Sequence, residues 1–127
     1  MSTACHIIVE NSPIVIYYSR NGSPQKLLPV LNRFLEKFWQ ERESLGENVD
    51  TPGCLVAQIL VRFGFESCED DFSNLRANIT YSPTVEYLYH VGADQKVTVW
   101  IPESGYRHDP SAGLGACSQL DMASMVV

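Results

Sequence analysis

Positive charge is scarce in this chain. Its 127 residues carry 9 Lys and Arg against 15 Asp and Glu, a net charge of −6. Such a balance argues against an extended nucleic-acid ligand or an anionic membrane, both of which need a positive field. Long apolar runs are missing too. Ile7-Ile8-Val9 stops at Glu10, far short of the ~18 apolar residues of a membrane span, and the start lacks the basic stretch of an export signal. A cytoplasmic protein is therefore expected. The cysteines, Cys5, Cys54, Cys68 and Cys117, form no Cys-x-x-Cys pair. They read as reduced thiols, two or three of them buried, and not as a disulfide framework or a metal site. Glycines are isolated: Gly22, Gly46, Gly53 and Gly64 build no phosphate-cradling loop, and Gly113-Leu114-Gly115 lacks both a Lys-Ser/Thr partner and a following helix.

What is present is a sizeable apolar fraction, 45% of residues, enough for one domain with a core of its own. Residues 5–11 read as a strand, Asn11-Ser12-Pro13 as a turn, and residues 14–20 as a second strand. Together they suggest an antiparallel hairpin. Ile14, Ile16 and Tyr18 share one face of the second strand, Val15 and Tyr17 the other. Ser23-Pro24 is a helix-start signal, but Pro29 sits too deep for a first turn. The expectation is a short turn over 24–28 and a helix over 29–44, with Val30, Leu31, Phe34, Leu35, Phe38 and Trp39 on its apolar stripe. Thr51-Pro52 opens a second helix carrying Leu55, Val56, Ile59, Leu60 and Phe63, and Gly64 ends it. Small Cys54 and Ala57 would allow close approach. Residues 65–82, with Glu66, Glu69, Asp70 and Asp71, read as an acidic surface loop. Residues 84–91 and 96–101 alternate as two hairpin-linked strands, with Val85, Tyr87, Tyr89 and Val91 on one face of the first.

The order β-β-α-α-β-β predicts an α+β fold: a two-layer sandwich of a four-stranded antiparallel sheet with two helices on one face. Residues 1–101 would form the domain. Residues 102–127, rich in Gly, Pro, Ser and Ala, would form an irregular extension, flexible or docked on a neighbour. The sheet carries too many aromatics for a solvated second face. The tail, another subunit or a ligand should cover it.

These segments resemble a loose group of small uncharacterised α+β proteins of phages, prophages and their prokaryotic hosts. The matching stretches are Ser19-Arg20-Asn21-Gly22-Ser23-Pro24 and Val85-Glu86-Tyr87-Leu88-Tyr89-His90-Val91, with a Leu28-Pro29 helix start between them, so the likeness spans about residues 5–101. The resemblance implies a mobile-element setting and is silent about chemistry.

No residue is assigned a catalytic role, and no metal ligand set or cofactor is indicated. The acidic run 66–71 lacks the glycine and closing glutamate of a calcium loop. Each histidine, His6, His90 and His108, reads first as a hydrogen-bonded structural residue. Glu86 and His90 share a face but lie ~13 Å apart along the strand, too far to pair directly. The remaining candidates for ligand binding are Tyr18, Arg20, Tyr87, Tyr89, His90, Trp100, Tyr106 and Arg107, joined by Tyr17. Flat rings stack bases and Arg holds phosphate. Three functions follow. The first is a non-enzymatic interaction protein, a homo-oligomer or a binder of a host protein such as a defence component, whose acidity would suit a basic partner. The second sequesters a small nucleotide signal in an aromatic and Arg pocket. The third is a weak hydrolase using His90 or His108. If one protomer encloses all the rings and shows only hydrophilic groups outside, the case for recognition fails.

Overall fold

The computed structural model describes residues 3–19, 22–44, 52–63 and 75–120. Strands β1 (Cys5–Val9) and β2 (Val15–Tyr18) form the expected antiparallel hairpin, turned by Asn11 at φ 70°. Helix α1 runs from Pro24 to Ser44, and α2 from Pro52 to Gln58, continued by a π-turn over Ile59–Phe63. Strand β3 (Leu75–Asn78) follows, then the hairpin of β4 (Tyr87–Val91) and β5 (Val97–Pro102). Helix α3 (Ser104–His108), a 3-10 segment (Pro110–Ala116) and strand β6 (Cys117–Gln119) complete the described chain. No described helix is long and apolar enough to cross a membrane.

The fold is α+β, but the sheet is six-stranded and mixed, in the order β3-β2-β1-β4-β5-β6, and not four-stranded and antiparallel as expected. Both hairpins form as read. They join through β1 and β4, which run parallel, Cys5 beside Tyr87 and Val9 beside Val91. A parallel pair needs a long crossover, and the two helices between the hairpins supply it. The extra strands are edges made by pairing and not by propensity. Leu75-Arg76-Ala77-Asn78 holds no β-branched residue, yet it pairs with β2 from Tyr18–Leu75 to Val15–Asn78. Cys117–Gln119 pairs with β5 within what the sequence suggested was an irregular extension, flexible or docked on a neighbour.

Helix α1 is also longer than predicted. It passes through Pro29 without a break because Leu27, Leu28 and Leu31 are buried on its inner stripe while Pro29 faces water. The proline removes one N–H, and solvent can satisfy the Gln25 carbonyl left over. Both helices lie on one face of the sheet, as expected, and bury Ile7, Val9, Ile16, Tyr18, Tyr89, Val91 and Val99 against Leu31, Leu35, Phe38, Leu55 and Ile59. Arg42 ties the helices together: its guanidinium lies 5.1 Å from the Phe38 ring centroid and donates to Cys54 Sγ at 2.9 Å. Ala57 is exposed and makes no close approach.

The second face has its own core of Ile8, Val15, Val85, Leu88 and Tyr106, flanked by Tyr17, Tyr81, Trp100 and Leu114. Its cover is the chain's own segment 104–116, so this part of the presumed extension belongs to the fold. Val85 lies on this face and not with Tyr87 and Tyr89, because β4 begins only at Tyr87 and the alternation does not reach back to 85. Among the described cysteines, Cys5 is buried and Cys54 and Cys117 are half-buried, all as free thiols. The acidic run at 66–71, Cys68 and the terminal residues 121–127 lie outside the described residues.

Candidate functional site

Strand alternation decides where the candidate rings go. Tyr18, Tyr87 and Tyr89 point to the helix side, and Trp100 and Tyr106 to the opposite side. The sheet therefore separates them, and no single aromatic pocket contains the set. Arg20 lies outside the described residues. Tyr89 is fully buried, and its hydroxyl donates to the Gly22 carbonyl at 2.6 Å, with the phenol pushed well above its usual range first by burial and then by Cys5 and Tyr87 nearby. Gly22 is required there. A Cβ at that position would lie 2.7 Å from the Thr3 carbonyl oxygen and 2.9 Å from Cys5 Sγ.

The second face is organised around His6, a buried polar residue whose importance the sequence did not reveal. Tyr17 and Tyr81 meet its ring edge-on at 5.8 and 5.6 Å, and Tyr81 meets Tyr106 the same way at 6.3 Å. Both ring nitrogens are used. Nε2 accepts from the Ser82 N–H at 2.8 Å, which leaves Nδ1–H to donate to the Ile16 carbonyl at 3.1 Å. This pattern requires the neutral ring with its proton on Nδ1. Burial lowers the His6 pKa, opposed more weakly by the Ile16 hydrogen bond.

Two of the proposed ligand-binding residues complete this arrangement. The Tyr106 hydroxyl donates to the Ser82 carbonyl at 2.6 Å, and Arg107 Nη1 donates to the Pro83 carbonyl at 2.5 Å. The turn at 82–83 is thus clasped between His6 of β1 and the C-terminal cover. Trp100 is half-buried and gives its indole N–H to Thr98 Oγ1 at 2.9 Å. His108 is exposed at the end of α3. His6 therefore fits the structural reading given to the histidines.

Of these candidates, His90 lines an open cleft. The cleft, of about 430 Å³, lies where the cover stops, between the end of β1 and the β4–β5 turn. Its side chains are Glu10, His90, Asp94, Lys96 and Thr98. Register explains the grouping. Ile8, His90 and Thr98 lie side by side across β1, β4 and β5, and one step further on come Glu10, Gly92 and Lys96. Gly92 has no side chain, so a gap opens between the carboxylate and the ammonium on either side. Asp94 folds back over that glycine, within 2.5 Å of where a Cβ would stand. Both acids have one oxygen engaged: Glu10 Oε2 accepts from the Ala93 N–H at 2.6 Å, and Asp94 Oδ1 from the Lys96 N–H at 3.1 Å. Among the described residues neither the His90 ring nor the Lys96 ammonium has a hydrogen-bond or ion-pair partner. Every buried side-chain nitrogen and oxygen among the described residues is satisfied, so polar groups open to a ligand are those at the surface. No described cluster of His, Cys, Asp and Glu has the form of a metal site.

The surface is not wholly hydrophilic. Ile79, just past β3, is 78% exposed and Val61 in the π-turn is 57% exposed. The π-turn packs beside β3, so both lie toward the same edge of the sheet. Comparisons with protein-family models, with curated proteins and with solved structures find no match to this chain.

Proposed function

We propose that this protein acts by protein–protein contact and not by catalysis, and that the contact is made at the β3 edge of the sheet. The observation that carries the reading is the combination at that edge. Among the described residues β3 is paired on one side only, by β2. The large exposed apolar side chains of the described chain, Ile79 and Val61, stand at the same edge. An open strand edge presents unpaired N–H and C=O groups that template another strand, and natural proteins commonly blunt such edges with Lys or Pro. Leu75–Asn78 holds no Lys or Pro, and its one charged residue is the exposed Arg76. The opposite edge, β6, offers only three residues, with exposed Ser118 and Gln119.

The occupant we assign is a second copy of the chain. Two β3 strands related by a two-fold axis pair antiparallel and present the same patch to each other, the self-complementary geometry of most dimers. The net charge of −6 opposes this contact, so raising salt should strengthen it. The mobile-element setting implied by the sequence resemblance would make a host protein, such as a defence component, the competing occupant of the same edge. Light scattering coupled to size exclusion tests the reading. The expected mass is about twice the 14.2 kDa of one chain, reverting to one chain in Ile79→Lys and Val61→Lys. A single-chain mass for the unaltered protein at every concentration and salt would overturn it.

A further inference from the structure

We propose that the cleft between Glu10 and Lys96 is a binding site for a small zwitterion, a molecule of the free amino acid class that carries an ammonium and a carboxylate close together. The proposal goes beyond the edge contact and uses none of its residues.

The first argument is charge placement. Glu10 and Lys96 lie on either side of Gly92, two strand spacings or roughly 9–10 Å apart at Cα. Long side chains of opposite sign at this separation would ordinarily meet across the gap. Here Glu10 is instead held to the Ala93 N–H, and the Lys96 ammonium has no partner among the described residues. The turn keeps the two charges apart.

The second argument is the division of hydrogen-bonding capacity. On one side stand the remaining oxygens of Glu10 and Asp94, acceptors suited to an ammonium. On the other stand Lys96 Nζ, the Thr98 hydroxyl and His90. Thr98 Oγ1 already accepts the Trp100 indole N–H, so its own hydrogen is left to donate. The His90 ring always keeps at least one N–H donor, whichever nitrogen carries it. A carboxylate beside these donors and an ammonium beside the two acids would satisfy both halves at once. A simple anion would face two carboxylates, and a simple cation would face Lys96.

The third argument is size. A volume of about 430 Å³ lies within the range of small-ligand pockets and admits a molecule of only a few heavy atoms with its water. The floor is rigid: His90 and Thr98 are on paired strands in the middle of the sheet, and the turn above is fixed by Gly92 N–H to Lys96 O at 2.8 Å and Gln95 N–H to Gly92 O at 3.0 Å.

The test is an NMR titration of the full chain with individual free L-amino acids, following the His90 ring signals, which are assigned as those missing in His90→Gln. Acetate and methylammonium serve as the two half-ligands. The expected result is a saturable shift for at least one amino acid and none that saturates for either half-ligand. Affinity should fall by roughly tenfold in Lys96→Gln and in Glu10→Gln, each of which removes one charge-assisted contact. Glu10→Gln keeps an oxygen for Ala93 N–H, so the turn should stay folded, and unchanged backbone amide signals elsewhere confirm it. No saturable response to any amino acid, or an equal response to acetate or methylammonium alone, would overturn the proposal.

Discussion

Acid should destabilise this protein through His6. The ring is fully buried and must be neutral, because Nε2 faces the Ser82 N–H and a proton there would set donor against donor. Burial holds its pKa below the ordinary 6.5. In the unfolded chain the ring takes up a proton at its usual value. Below pH 6.5 the unfolded state therefore binds more protons than the folded one, and stability falls as pH falls; above 6.5 the contribution is fully present. Were the folded ring neutral over the whole range, linkage would give about 1.2 kcal/mol between pH 7 and pH 5.5, which is the ceiling on the loss from this group. The measurement is a difference, so that only the His6 contribution is read. Urea unfolding of the unaltered chain and of His6→Gln should be compared at both pH values. At pH 7 the variant should be less stable by about 2–3 kcal/mol, having lost a buried hydrogen bond and its ring contacts. At pH 5.5 the gap should have narrowed, by no more than about 1.2 kcal/mol, because the variant has nothing to titrate. A gap that stays constant or widens would refute the assignment of the neutral ring.

Two further substitutions probe the helix side. Gly22→Ala should destabilise by about 1–3 kcal/mol, since its methyl would press on the Thr3 carbonyl and on Cys5, and a thermal melt should show a fall of about 4–11 °C. Pro29→Ala should stabilise by about 1–3 kcal/mol by returning an N–H to the Gln25 carbonyl in the body of α1, read as a higher urea midpoint with unchanged slope.

Local pattern made the centre of this molecule legible and left its borders unread. Ile14, Ile16 and Tyr18 against Val15 and Tyr17, or Val97 and Val99 against Trp100, separate onto the two faces as alternation requires. The apolar stripes of both helices were equally plain. β3 and β6 were not, because neither has strand-forming residues, and each exists only because a stronger strand lies beside it. The parallel union of β1 with β4 left no local trace either. That omission cost the cleft: Glu10 and Lys96 look like ordinary strand-end charges until register sets them on either side of Gly92. The ring-bearing candidates were selected by type, and type says nothing about which side of a sheet a ring occupies. Tyr106 and Arg107 were marked for ligand binding, and their described hydrogen bonds go to the Ser82 and Pro83 carbonyls. His6 carried one usable signal, an imidazole inside an otherwise apolar strand.

The bond between His6 and the Ser82 N–H spans 76 residues of chain. A ribosome adding roughly 5–20 residues each second would take about 4–15 s to make that stretch. Until then the first hairpin has left the tunnel with an uncapped imidazole and a bare apolar underside, and the segment that shields it is made later still. A chain cut short near residue 103 would keep its helical roof and lose its floor. Nascent or truncated forms that lack residues 104–116 should therefore draw chaperones and clump more than the chain that carries them.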